Sequence, residues 1–569
     1  MRRVLVPLLA LLVLAGCVTV PTSGPVERHS PAVQPANPGV DIAPVPPAQG
    51  ASPGLIVEGF LHAMATYQPG YSVARQFLTP QASGEWNPET GVEVYSGGYP
   101  PQVSGTGVVL TAPLIGTVDT QGSFTPASTQ YHHDFGLVRD ADGQWRISRP
   151  PAGLLISQSL FASTWVRSDV CLWDDSGSWL VPDPRFVPSG TIGLVQTVRA
   201  ILAGPSRGLE EALRAGPAAD GSIDVPSVAL AADGAATVDL TGGVDLLDAE
   251  ARRSLAAELV WSLTSLEGVS EVRIRGNGAV WELGTAGGVL TTADFGDGAP
   301  QPASTGEGVF LIRDGSMQRA SWVDPSADPL SLAQSIGGAS AIDARYDGGS
   351  VAVITDQGTR VRSVGVRDGV VRSEMSGSRL ADVRWDRQGE LWVVLDRGRG
   401  QRMRMVRDGQ EIAVDAAGLP VGTIRAFSPA PDGVRVALVV ENQGRSTLGT
   451  AAVVRSADGV RFVGWRELTG ATWAPSGQPA LDVGWAGPAD LLVLLGAGGG
   501  GGAPRVVSVD SAGAVATDVG PSDAAGAAQL AVSASGRAVL RGPDGQTWRF
   551  VDDFTWEPWL QDVDAVSLP

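Results

Sequence analysis

Five times in the C-terminal half of the chain, an aromatic or apolar residue leads into a polar turn and then an apolar run. The copies are Ala344–Gly349 into Val351–Val353, Val383–Gly389 into Leu391–Val393, Phe427–Gly433 into Val436–Leu438, Val483–Gly487 into Leu491–Val493, and Leu530–Gly536 into Ala538–Leu540. They recur about every 40 to 57 residues, the spacing of one propeller blade. A single hairpin of this kind cannot bury both of its faces, whereas blades stacked around an axis can. The pattern predicts an all-β propeller over residues 306–560, with a pair of β-sandwiches as the alternative. In the fourth copy Asp490 stands where the others have glycine. Gly498–Gly502 reads as a flexible loop inside that blade and not as a phosphate cradle, because neither a lysine nor a helix signal follows it.

Two segments with mixed signals precede this one, in line with the two to four domains that about 569 residues should hold. In 53–151, Ile56, Phe60 and Met64 recur at helical spacing. Tyr71–Thr79 reads as a second helix, ended by Pro80. Strands are expected at Val92–Tyr95, Val108–Leu110, Leu114–Val118, Phe135–Val138 and Trp145–Ile147. Helices followed by a curved antiparallel sheet make a small α+β domain, similar to NTF2-like domains. In 164–291, Val170–Trp173 is a strand, and Leu194, Val198, Ile201 and Leu202 form a helical stripe. Val225–Leu230 and Ala235–Leu240 pair across Asp233-Gly234. Asp248 caps a helix whose Leu255, Leu259, Leu263 and Leu266 face a core. The strand Val269–Ile274 and its partner Ala279–Leu283 follow. This is a compact α/β domain.

The N-terminus is of another kind. Arg2 and Arg3 precede an apolar run from Val4 to Leu14, too short to span a bilayer, and Leu14-Ala15-Gly16-Cys17 forms a lipobox. The reading is a signal peptide over 1–16, cleaved before Cys17, with diacylglycerol on the Cys17 thiol and an acyl chain (palmitate) on its amino group. Residues 17–52 are rich in Pro, Ser, Ala and Gly and read as a tether. No later run is long and apolar enough to suggest a second span.

Composition narrows the chemistry. The net charge of −19 opposes nucleic-acid binding. The chain has no lysine, which rules out a P-loop or Schiff-base lysine. The four histidines, His29, His62, His132 and His133, show no metal-ligand spacing. Neither a metal nor another cofactor is expected. Cys17 is committed to lipid, and Cys171 lies in a strand-like run where it reads as a buried apolar residue. Gly204-Pro205-Ser206-Arg207-Gly208 matches the G-x-S-x-G pattern of serine hydrolases, but a helix leads into it and no histidine follows His133. It reads as a helix end. Asp140-Ala141-Asp142-Gly143 reads as a hairpin turn and not a calcium loop.

The lipobox, Ala74-Arg75-Gln76-Phe77-Leu78-Thr79, the run Trp179–Val187 and the C-terminal repeats, in that order, resemble the LpqB family of actinobacterial lipoproteins. Leu180-Val181-Pro182, Leu202-Ala203-Gly204-Pro205 and Val238-Asp239-Leu240 also make the middle domain similar to GerMN domains. The resemblance implies a non-enzymatic, membrane-anchored accessory of the MtrA–MtrB two-component system. Its partner would be the extracellular sensor domain of the histidine kinase MtrB, with effects on cell-wall metabolism and division. A cell-wall hydrolase working through paired carboxylates, or a peptidoglycan-binding scaffold, is the alternative. The sequence identifies neither the contact residues nor a ligand for the first domain.

Overall fold

The protein is described by a computed structural model over residues 44–105, 107–216, 220–301, 308–332, 338–395, 402–468, 478–498, 503–520, 526–552 and 554–569. Cys17, His29, most of the expected tether and the glycine run 499–502 lie outside the described residues.

The first domain opens with a helix, Pro53–Ala65, that begins on a proline at its first turn and buries Ile56, Phe60 and Met64 as the periodicity requires. The helix expected over Tyr71–Thr79 is much shorter, Ser72–Arg75. Beyond it the chain extends, and Phe77 and Thr79 exchange backbone hydrogen bonds with Ile147 at 2.9 Å. Pro80 causes this difference. It disfavours helix at Thr79 and starts a new helix, Pro80–Glu85, capped by the Thr79 hydroxyl, which accepts from Ala82 N at 3.2 Å. The proline taken as a stop is a start. Val108–Leu110 and Leu114–Val118 prove to be one strand, Gly107–Val118, that passes through Pro113. Its first half pairs with Gln102–Ser104 and Gln130–Asp134, its second with Val92–Tyr95 and Phe124–Pro126. The expected Phe135–Val138 strand is divided at Gly136, which takes a φ of 58°. Leu137–Arg139 then pairs with Trp145–Ile147 across the Asp140–Gly143 turn, where Asp140 Oδ1 accepts from Asp142 N and Gln144 N.

In the middle domain, strands Trp165–Trp173 and Leu180–Pro188 form a hairpin. Ile223–Leu230, Ala235–Gly242 and Glu271–Gly276 form a mixed sheet with two short strands. Helices Thr191–Ala203 and Ala249–Leu263 complete its core with Leu194, Val198, Leu255, Leu259 and Leu263. Asp248 caps the second helix, accepting from Ala251 N at 2.8 Å.

Among the described residues the third domain is a closed ring of six four-stranded blades. Each predicted repeat is the innermost strand of a blade turning into its second strand: Ala341–Ala344 into Ser350–Thr355, Leu380–Trp385 into Leu391–Leu395, Thr423–Pro429 into Arg435–Asn442, Ala480–Trp485 into Asp490–Leu495, and Gln529–Val532 into Ala538–Arg541. These are blades 2 to 6. Blade 1 draws its innermost strand, Ala565–Ser567, from the C-terminal end and pairs it with Gly308–Arg313, followed by Ser316–Ser321 and Leu330–Ser331. The closing strand thus lies past residue 560. Consecutive innermost strands touch around the ring, and Ala565–Ser567 touches both Ala341–Ala344 and Gln529–Val532. That closure excludes the β-sandwich pair. The outermost strands of blades 3 and 4 also pair, in parallel, through Ala413–Asp415 and Gly459–Arg461. In blade 5, Trp485 pairs with Leu491 as Trp385 pairs with Leu391 in blade 3. The glycine position is therefore held by Ala489, and Asp490 corresponds to Glu390.

Candidate partner-binding face

No His, Cys, Asp or Glu grouping among the described residues could hold a metal, and no helix there is long and apolar enough to cross a membrane. Cys171 is buried with its thiol pushed up by burial, and its backbone N–H donates to Ser262 Oγ at 2.8 Å. His62 lies half-buried in the first helix. His132 Nδ1 is 2.9 Å from Thr111 Oγ1, and His133 Nε2 is 2.9 Å from the Arg149 carbonyl.

The G-x-S-x-G segment has a mechanical role. Ser206 is buried, and its hydroxyl and backbone N–H donate to the two oxygens of Asp183 at 2.8 and 2.7 Å. Arg185, wholly buried, donates to Asp183 at 2.6 Å, to the Gly204 carbonyl at 3.1 Å and to the Gln121 carbonyl of the first domain at 3.1 Å. Burial works to raise the Asp183 pKa, but the Arg185 guanidinium and the Ser206 donors overcome it and hold the carboxyl below its usual range. The Phe186 N–H donates to the Gly122 carbonyl at 2.7 Å, fastening the first two domains together. Gly208 meets the outer strand of blade 4. A Cβ on Gly464 would sit 2.2 Å from the Gly208 oxygen, so only glycine permits this approach.

Further contacts dock the same two domains onto one side of the ring. Arg167 binds both oxygens of Asp490, one at 3.0 Å. Arg387, in the turn of blade 3, donates to the Ala299 carbonyl at 2.9 Å and lies 4.6 Å over the Trp179 ring. Arg461 pairs with Glu211. Ala512, in the outer turn of blade 5, enters the first domain's core. The contacts thus use the turns between first and second strands and between third and fourth strands of blades 3 to 5, plus the outer edge of blade 4.

The opposite end of the ring carries the connections between second and third strands and between blades. Exposed there are Asp314, Asp356, Gln357, Arg379, Gln443, Gly444 and Asp544, with Val421 85% exposed. This is the candidate partner-binding face. Sequence reasoning missed both the docking pairs and this face. The signals available were an Asp and an Arg inside the apolar Leu180–Pro188 strand, and the odd fourth repeat at Asp490.

Comparison with known proteins places this architecture. Family models described as "Lipoprotein LpqB, N-terminal domain", "Sporulation and spore germination" and "Lipoprotein LpqB beta-propeller domain" match residues 46–162, 169–281 and 316–560. A lipoprotein LpqB from Cutibacterium acnes is 31% identical, covering 98% of each chain. The chain belongs to the LpqB lipoprotein family. A Streptomyces coelicolor LpqB is 28% identical over 95% of each chain. Among solved structures, TolB from Acinetobacter baumannii is 11% identical with a TM-score of 0.36, covering 57% of this chain and 86% of that one. The LpqB relatives are named as lipoproteins and not as enzymes.

Proposed function

We propose that this LpqB-family chain is cleaved before Cys17, lipidated on that residue and held at the outer face of the cytoplasmic membrane. There the uncovered face of its propeller binds the sensor domain of the MtrB histidine kinase. Through the MtrA–MtrB system it influences cell-wall metabolism and division. It acts by contact and not by turnover. The observation that carries this reading is the one-sided docking: two domains occupy one end of a closed ring, and the described residues Asp314, Asp356, Gln357, Arg379, Val421, Gln443, Gly444 and Asp544 at the other end are exposed. A lipid anchor confines the protein to the kinase's membrane, which raises their effective concentration without new contacts. Ser206, the one residue in a hydrolase-like motif, already donates its hydroxyl to Asp183.

The test is binding of the MtrB sensor domain to the full-length lipoprotein in nanodiscs. Val421→Glu is expected to weaken binding about tenfold or more, because it would place an unpaired charge inside the contact, and to leave the melting temperature unchanged, because Val421 is exposed. Cys17→Ala should shift the protein out of the membrane fraction. Failure to bind when both proteins share one bilayer, or turnover of purified peptidoglycan, would overturn the reading.

A further inference from the structure

A cleft of about 700 Å³ separates the middle domain from blades 3 and 4. Its volume falls in the range of small-molecule sites, which favour domain boundaries. One wall is the turn joining Trp165–Trp173 to Leu180–Pro188, and the other is built from turns of the two blades. Carboxylates along it outnumber guanidinium groups by five to two.

Most of these charges are already engaged. Asp174 accepts from Ser178 N at 2.7 Å and Trp179 N at 2.8 Å, which shapes the turn. Glu390, buried at the base, binds Arg407 and Arg455, and Arg455 also binds the buried Asp386 at 2.8 Å. Three groups keep capacity to spare. The carboxylates of Asp175 and Asp408 are exposed on opposite walls and have no hydrogen bond or ion pair among the described residues. Arg407 uses Nε on Glu390 and Nη1 on the Ser456 carbonyl at 3.0 Å. Its Nη2 has no hydrogen-bond partner among the described residues.

We propose that this cleft binds a short peptide with free termini. Asp175 and Asp408 take its ammonium group from the two walls, Arg407 Nη2 takes its carboxylate, and the serine-rich walls offer partners for its amides. The negative balance of the cleft favours the ammonium end and disfavours a simple anion. The single arginine with spare donors favours a dipolar ligand over a polyamine. The proposal does not depend on contact with the kinase, since the cleft lies on the docked side of the ring.

Tri-alanine is a suitable probe, titrated calorimetrically into the full-length lipoprotein in nanodiscs. N-acetyl tri-alanine, tri-alanine amide and spermidine are titrated in parallel. Tri-alanine should bind, and acetylation of its amine should abolish binding. Amidation of its carboxylate should weaken binding about three- to tenfold. The double variant Asp175→Asn/Asp408→Asn should weaken it at least about tenfold with the fold intact, because both side chains are exposed. Changing the ligand in place of Arg407 avoids stripping a partner from buried Glu390. Absence of tri-alanine binding at millimolar concentration, equal binding of the acetylated peptide, tighter binding of spermidine, or indifference to the double variant would each overturn the proposal.

Discussion

The buried carboxylates of this protein divide into two kinds. Asp343 and Asp482 lie on innermost strands of the ring, opposite Ala352 and Leu494 of the adjacent second strands. Each reaches across to the next blade: Asp343 accepts from Trp385 N at 2.7 Å and Asp482 from Leu530 N at 2.8 Å. Burial pushes both up to about 6, with Arg384 opposing the shift. Glu258, inside the Ala249–Leu263 helix, is the other kind. Its carboxyl is wholly buried and neither oxygen meets a donor in good geometry, with only weak help from the Trp173 backbone. Burial pushes it up to about 8. An unfolded glutamate titrates near ~4.3, so between these values the folded state holds a proton that the unfolded state has released. Stability therefore falls as pH rises through this window, by up to about 1.4 kcal/mol per pH unit, and levels off above pH 8. Glu258→Met removes that dependence. Its melting temperature should exceed that of the parent protein, and calorimetry from pH 5 to 9 should show the gap widening as pH rises. A constant gap would contradict the assignment.

At the level of elements, what the sequence disclosed depended on whether the signal was local. The five hairpins of blades 2 to 6 were legible because strand, turn and strand are contiguous and each ends in a short apolar run bounded by turn residues. Blade 1 was not, because its innermost strand, Ala565–Ser567, and its second strand, Gly308–Arg313, lie at opposite ends of the domain. The helix cap at Asp248 and the hairpin at Asp140–Gly143 were local and could be read directly. Pro80 was local too, but a proline can both end and begin a helix, and only the packing of Phe77 and Leu78 decides between these roles. The docking pairs were out of reach, since Arg167 and Asp490 are 323 positions apart. The split blade also gives a prediction. Deleting residues 565–569 removes the strand that bonds Phe310 and Ile312, together with the Ser567 hydroxyl that accepts from Ala344 N at 3.0 Å. Limited proteolysis should then cut first within Gly308–Ser321. Unchanged protease resistance would mean that the ring holds without this strand.

For the whole molecule, the decisive feature is that Pro44–Pro569 forms one compact unit, with the junction near Arg185 joining the first two domains and the glycine contact fixing them to blade 4. Arg185→Met should leave Asp183 as a buried, half-partnered charge. Breaking such a pair costs about 3–5 kcal/mol. Calorimetry is expected to resolve the parent's transition into separate ones for the propeller and the N-terminal domains, whereas a single transition at lower temperature would mean the domains remain coupled without Arg185. The ring's closure also governs how the domain comes into being. Its first-made strands, Gly308–Arg313 onward, must wait for nearly the whole remaining sequence before their neighbour arrives, so the contact that completes the toroid has one of the largest chain separations in the protein. High contact order slows folding and leaves an unpaired strand edge available to other chains in the meantime. The molecule is thus most vulnerable to aggregation late in its synthesis, and a binder that shields that edge should raise the yield of folded protein more than one directed at the finished ring.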